Sequence, residues 1–194
     1  MDFWHGGATC SLKRQRSGLD VQGMTTAGLD LPFTEPVLLA IVAFHIFIGL
    51  ICVLSGAVAM LSPKGAGRHP RFGKIYFWAL AIVFVSATAL AATRWADDYH
   101  LFILGAASFG FALFGRSARR RLWPNWPRWH IAGMGMSYVF LLTAFYVDNG
   151  KNLPLWKELP VWSYWALPAL VGAPVIIWAL LRHPVVKANA ALKT

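Results

Sequence analysis

The sequence predicts an all-α integral membrane protein with five transmembrane helices, on three observations. The 194 residues are 57% hydrophobic and only 13% charged, against about a quarter charged in a soluble domain. Five apolar stretches approach the roughly 20 residues a helix needs to cross hydrocarbon. None alternates with period two, and an open sheet edge has no place in lipid.

The expected spans lie at 36–62, 72–93, 99–115, 129–147 and 160–181. The first carries the run IVAFHIFIGL (41–50), in which His45 is the one ionisable group. The second follows a basic loop, SPKGAGRHP (62–70), whose glycines form a turn and not a nucleotide site, since it follows a helix instead of a strand. The third begins near Asp97, Asp98 and His100 and runs into Arg116, Arg119, Arg120 and Arg121. The fourth opens at Trp129 and His130 and closes at Asp148, Asn149 and Gly150, a C-terminal stop in which Asn or Gly would supply a left-handed residue. The fifth contains Pro168 and Pro174, which should kink it, and no acid, base or histidine between Trp162 and Leu181. It is a packing helix beside a four-helix core made of spans one to four.

Loop charge orients the bundle. Lys64, Arg68, Arg71 and Lys74 follow the first span, and five arginines with Arg128 among them follow the third. Short loops this basic stay cytoplasmic, so the C-terminus is expected in the cytoplasm and the N-terminus outside, in a bacterial inner membrane. Trp123, Trp126 and Trp129 then fall at the inner boundary and Trp95, Trp156, Trp162 and Trp165 at the outer one, as aromatic belts do. The net charge of +10 belongs to topology and lipid headgroups, not to nucleic acid. Residues 1–35 form a tail expected to be disordered, with Met24 as its expected working start, since Lys13, Arg14 and Arg16 are awkward outside and no apolar segment makes them a signal peptide. Residues 36–182 form the membrane domain and 183–194 a cytoplasmic tail. Cys10 and Cys52 define neither a disulfide framework nor a metal site.

The histidines carry the functional expectation. An ionisable residue inside a span needs a named partner. His45 lies 16 residues before Leu61 and His100 15 before Gly115, so both sit about 22–24 Å from the inner ends at the helical rise. His69, expected just outside the second helix, and His130, opening the fourth, sit at the inner boundary. The four form two couples, His45 with His100 and His69 with His130, on alternate helices that face across a four-helix core. Such couples suit the axial ligation of two b-type haems, with Gly49, Gly105, Ala106, Ala107 and Gly133 clearing space for a flat ring. Hydrogen bonding to a neighbouring Ser or carbonyl is the plainer alternative. Tyr138 shares the face of His130. Arg94 is expected to pair with Asp97 or Asp98, or else, like Asp148, to face a haem propionate.

The motifs HPRFGKIY (69–76), HLFILG (100–105) and HIAGMGMSYVFLLTAFYVDNG (130–150), with HIFIG (45–49), resemble the bacterial multi-pass family called domain of unknown function 2306 over residues 36–182. That resemblance implies a fold and no reaction. The ligand layout is similar to the cytochrome b-561 group in arrangement, not in motif. The expected function is transmembrane electron transfer through two haems, fed by a quinol or a soluble donor. A cofactor-free scaffold or small transporter is the alternative, and no catalytic residue is assigned. A single-metal hydrolase fits poorly, because two histidines at each face cannot converge on one ion.

Overall fold

The computed structural model describes residues 35–64, 67–154 and 156–182. Expectations for the N-terminal tail, the start at Met24, Cys10, and the C-terminal tail lie outside the described residues. Five helices follow in order: α1 (Glu35–Leu61), α2 (Arg68–Thr93), α3 (Trp95–Arg120), α4 (Trp126–Asn149) and α5 (Val161–Arg182). All five are long and apolar enough to cross a membrane, and among the described residues there is no strand.

The helices outrun the apolar stretches that announce them. α3 begins four residues before, and ends five after, its expected span of 99–115. Asp97, Asp98, Arg119 and Arg120 are no obstacle to a helix. Acids in its first turn and bases in its last oppose the helix macrodipole favourably. α2 likewise starts at Arg68, which corrects the expectation for His69: it lies inside the first turn of α2, not before it. Pro70 is tolerated there because a first-turn amide has no intrahelical acceptor. α5 runs on through both Pro168 and Pro174.

Two turns set the packing. Arg94 alone links α2 to α3, so these helices run antiparallel as close neighbours. Between α3 and α4 the chain reverses through Leu122 (φ 48°) and Asn125 (φ 59°), both left-handed; Asn is among the few residues that adopt this region readily. At the end of α4, Gly150 does not supply a left-handed stop. It is right-handed (φ −54°, ψ −42°) and leads into a 3-10 turn, Gly150–Asn152. Glycine is needed there for space, since a Cβ would meet the Tyr164 ring at 2.8 Å.

Helices pack α1 on α2, α2 on α3, α3 on α4 and α4 on α5, with a slight α1–α4 contact. The α2–α3 seam is an aromatic ladder at seven-residue spacing. Phe77 meets Phe109 (5.8 Å between centroids), Phe109 meets Phe84 (5.6 Å), Phe84 meets Phe102 (5.9 Å) and Phe102 meets Trp95 (5.6 Å). Each such pair contributes about 0.5–1.5 kcal/mol beyond the area it buries. Across the core, the hydroxyl of buried Tyr76 on α2 is 2.7 Å from that of Ser137 on α4, and the Ser108 hydroxyl on α3 donates to the Ser137 carbonyl at 2.8 Å. The Tyr138 hydroxyl donates to the Val53 carbonyl of α1 at 3.0 Å. In hydrocarbon a polar group has no water to turn to, so these bonds fix how the helices face one another.

Candidate haem site at the basic end

The end of the bundle bearing the α1–α2 and α3–α4 turns is basic, and it holds one couple of histidines. His69 on α2 and His130 on α4 have ring centroids 6.3 Å apart with planes at 86°. His69 Nδ1 donates to the Ala59 carbonyl at 2.8 Å, and His130 Nδ1 donates to the Gly115 carbonyl at 3.0 Å. A carbonyl oxygen can only accept, so Nδ1 is a protonated nitrogen in each ring; where a ring is neutral, its lone pair falls on Nε2.

The neighbouring backbone explains these positions. Gly133, one turn beyond His130, lies against Gly115: a Cβ there would stand 2.7 Å from the Gly115 Cα and 2.8 Å from its nitrogen. α3 and α4 therefore touch backbone to backbone, which brings the Gly115 carbonyl within reach of His130. At the other wall the Lys64 Nζ joins His69 in donating to Ala59, and also donates to Met60. These are carbonyls of the last turn of α1, which have no intrahelical donor. Burial holds the Lys64 ammonium below the usual lysine range.

Both rings line a cavity of about 340 Å³ between α1, α2, α3 and α4. It is lined by buried Tyr76 and Phe77 with half-buried Met134 and Tyr138, on the α1 side by Gly56, Ala59 and Met60, and towards its mouth by exposed Lys74, Arg119 and Arg120 with half-buried Arg116. The donor set suits a b-type haem. Ligating histidines commonly hold their second nitrogen on a backbone carbonyl. Two metal–imidazole bonds of about 2 Å each, with the ring radii added, put coaxial centroids roughly 6 Å apart. Among the described residues no three His, Cys, Asp or Glu side chains converge as a conventional metal cage.

At the acidic end the two histidines go separate ways. His45 Nδ1 is hydrogen-bonded to Ser86 Oγ of α2 at 2.8 Å, and the Ser86 hydroxyl also lies within donating distance of the Ile82 and Val83 carbonyls (3.0 and 3.1 Å). His45 also lies within electrostatic reach of Asp148 on α4. His100 faces α5, its centroid 6.0 Å from that of Trp165, and no ring contact joins it to His45. Arg94 pairs with Asp97 at 3.6 Å, both well exposed, which is the surface ion pair expected and contributes little.

The small residues serve helix packing more than ligand clearance. Gly133 admits the α3 backbone, Gly105 faces the Phe84 ring at 3.2 Å, and Gly49 faces open space. Sequence reasoning found both histidines of the basic end but missed Tyr76 and the cationic mouth. Arg116 continues the spacing of Trp95, Phe102 and Phe109, and Arg120 follows it by one turn; that register was the available signal. No protein-family model, curated protein or solved structure matches the chain.

Proposed function

We propose that the chain is a membrane electron-transfer protein that holds a b-type haem at the basic end, with His69 and His130 as the two axial ligands. The observation that carries this reading is the state of the two rings. They stand 6.3 Å apart, and each gives its Nδ1 proton to a backbone carbonyl of another helix. In the neutral form of either ring, that places the lone pair on Nε2, the nitrogen an iron would take.

Bound there, the haem iron supplies one-electron chemistry. The chain's own part is to orient and insulate. The carbonyls of Ala59 and Gly115 fix ring tautomer and direction, and Met60, Phe77 and Met134 give the cavity an apolar lining. Burial and such second-shell bonds are what tune a haem's potential. The reductant is a quinol from the bilayer or a soluble donor at the basic end, which in this reading faces the cytoplasm across a bacterial inner membrane, as basic short loops do. A second haem between His45 and His100 lacks comparable support, since among the described residues no ring contact joins the two: His45 turns to Ser86 and His100 faces α5. That His45–Ser86 bond instead favours the competing reading, a cofactor-free scaffold or transporter whose histidines tie helices together.

The test is an absorption spectrum of the detergent-purified protein from haem-replete cells, oxidised and then reduced with dithionite. A bis-histidine haem spectrum is expected, lost in His130→Ala and retained in His45→Ala. Colourless, folded parent protein refutes the proposal.

A further inference from the structure

The cavity at the basic end is unbalanced in charge. Lys74, Arg116, Arg119 and Arg120 line it, and no carboxylate does. No acid is near enough in sequence to compensate. There is no Asp or Glu between Glu35 and Asp97, between Asp98 and Asp148, or after Glu158. Both ion pairs among the described residues, Arg94–Asp97 and Lys157–Glu158, involve the loops at the opposite end.

Two general effects place cations near here: the C-terminal end of a helix favours them, and basic loops orient membrane proteins. Neither accounts for their arrangement around a cavity. Arg116 lies a full turn inside the end of α3, with Arg119 and Arg120 three and four residues on, so the three share one face. Two of the guanidinium groups rest on rings, Arg116 4.4 Å over Phe77 and Arg119 5.8 Å over Trp126. A ring face positions a guanidinium without cancelling its charge, and the N–H edge stays available to a planar oxyanion. Beyond the cations the lining turns apolar, at Met60, Phe77 and Met134.

We infer that Lys74, Arg116, Arg119 and Arg120 clamp the acidic groups of an amphiphile whose apolar body fills the cavity. The inference rests on the proposed function in so far as that amphiphile is haem, whose two carboxylates would then meet the mouth while its ring lies between the histidines. The phosphate of an acidic lipid presents the same oxyanion chemistry from the bilayer. The clamp is a binding and positioning device, and no bond is made or broken in it.

The test titrates the full-length protein in detergent with haem and with haem dimethyl ester, whose carboxylates are masked, following Soret absorbance and tryptophan quenching. The ester should bind at least tenfold more weakly. The double variant Arg119→Gln/Arg120→Gln should lose about tenfold in affinity for haem and nothing for the ester. Equal affinity for haem and ester overturns the clamp and leaves the haem reading standing. So does an unchanged haem affinity in a double variant that melts like the parent. If no haem binds, the haem reading falls and the clamp is decided on lipid, in phosphatidylcholine nanodiscs containing phosphatidylglycerol. Retention of phosphatidylglycerol by the parent but not by the double variant, read by native mass spectrometry, supports it; equal retention overturns it.

Discussion

Replacing Gly133 by alanine tests the α3–α4 crossing and the seat of His130 together. The added methyl would lie 2.7 Å from the Gly115 Cα, 2.8 Å from its nitrogen and 2.9 Å from the Phe111 carbonyl oxygen. All three atoms are backbone, so no side chain can rotate aside. To bring the shortest distance to the 3.4 Å of ordinary contact, the helices must part there by roughly 0.7 Å. Overpacking of this kind costs about 1–3 kcal/mol. The same movement draws His130 from the Gly115 carbonyl, now at 3.0 Å, towards the limit of a hydrogen bond. Interhelical bonds in membranes are worth about 0.6–2 kcal/mol, so the expected loss is about 1.5–5 kcal/mol. Unfolding of the purified protein from mild detergent by dodecyl sulfate, followed by circular dichroism, measures it, and Soret absorbance per protein reads the effect on haem. Gly49→Ala is the control, because nothing lies within 4 Å of its Cβ; it should stay within about 0.5 kcal/mol of the parent. A Gly133→Ala protein as stable as Gly49→Ala would refute the reasoning.

A double-mutant cycle on His45→Ala and Ser86→Ala should return a coupling of about 0.6–2 kcal/mol with no change in the haem spectrum; additive effects would mean the 2.8 Å bond contributes nothing. Tyr76→Phe leaves the buried Ser137 hydroxyl without its tyrosine partner and should cost about 1–3 kcal/mol in the same unfolding assay, whereas a neutral result would remove the α2–α4 tie from the account. Orientation is read by thiol labelling in intact cells of a Cys10→Ser protein, since Cys52 is fully buried. Lys157→Cys should react from outside and Arg121→Cys only after the membrane is opened, and the reverse pattern would invert the expected topology.

Helix number was legible because hydrocarbon imposes one length and one backbone solution, which composition alone reveals. Helix ends were less so: apolar content stops at the membrane boundary, while backbone hydrogen bonding continues through Asp97 and Arg120. The couple at the basic end was legible because depth along a helix follows from counting residues. Rotation about the helix axis does not, and His45 shows the difference. Its height by residue count matches that of His100, yet its ring is turned towards Ser86 on α2, one of several serines and carbonyls that counting alone does not tell apart. Gly133 and Gly49 were likewise indistinguishable as letters. Only the α3 backbone lying against one of them separates a required glycine from an incidental one.

The two ends therefore differ in how their histidines relate to the bundle. A histidine bonded to a serine on the adjacent helix, as His45 is, spends a ring nitrogen on holding two helices and has no need of a facing ring. At the basic end the donors are also spent, but on carbonyls of two other helices, Ala59 on α1 and Gly115 on α3, so that residues from all four helices fix one pair of rings beside a cavity. Tying helices together needs only the bonds. It does not require that the two rings line the same hollow, or that four cations without a carboxylate surround its mouth. Those two features are what an occupant apolar in body and acidic at one edge would use, and they are the reason the proposed haem is attached to His69 and His130 alone.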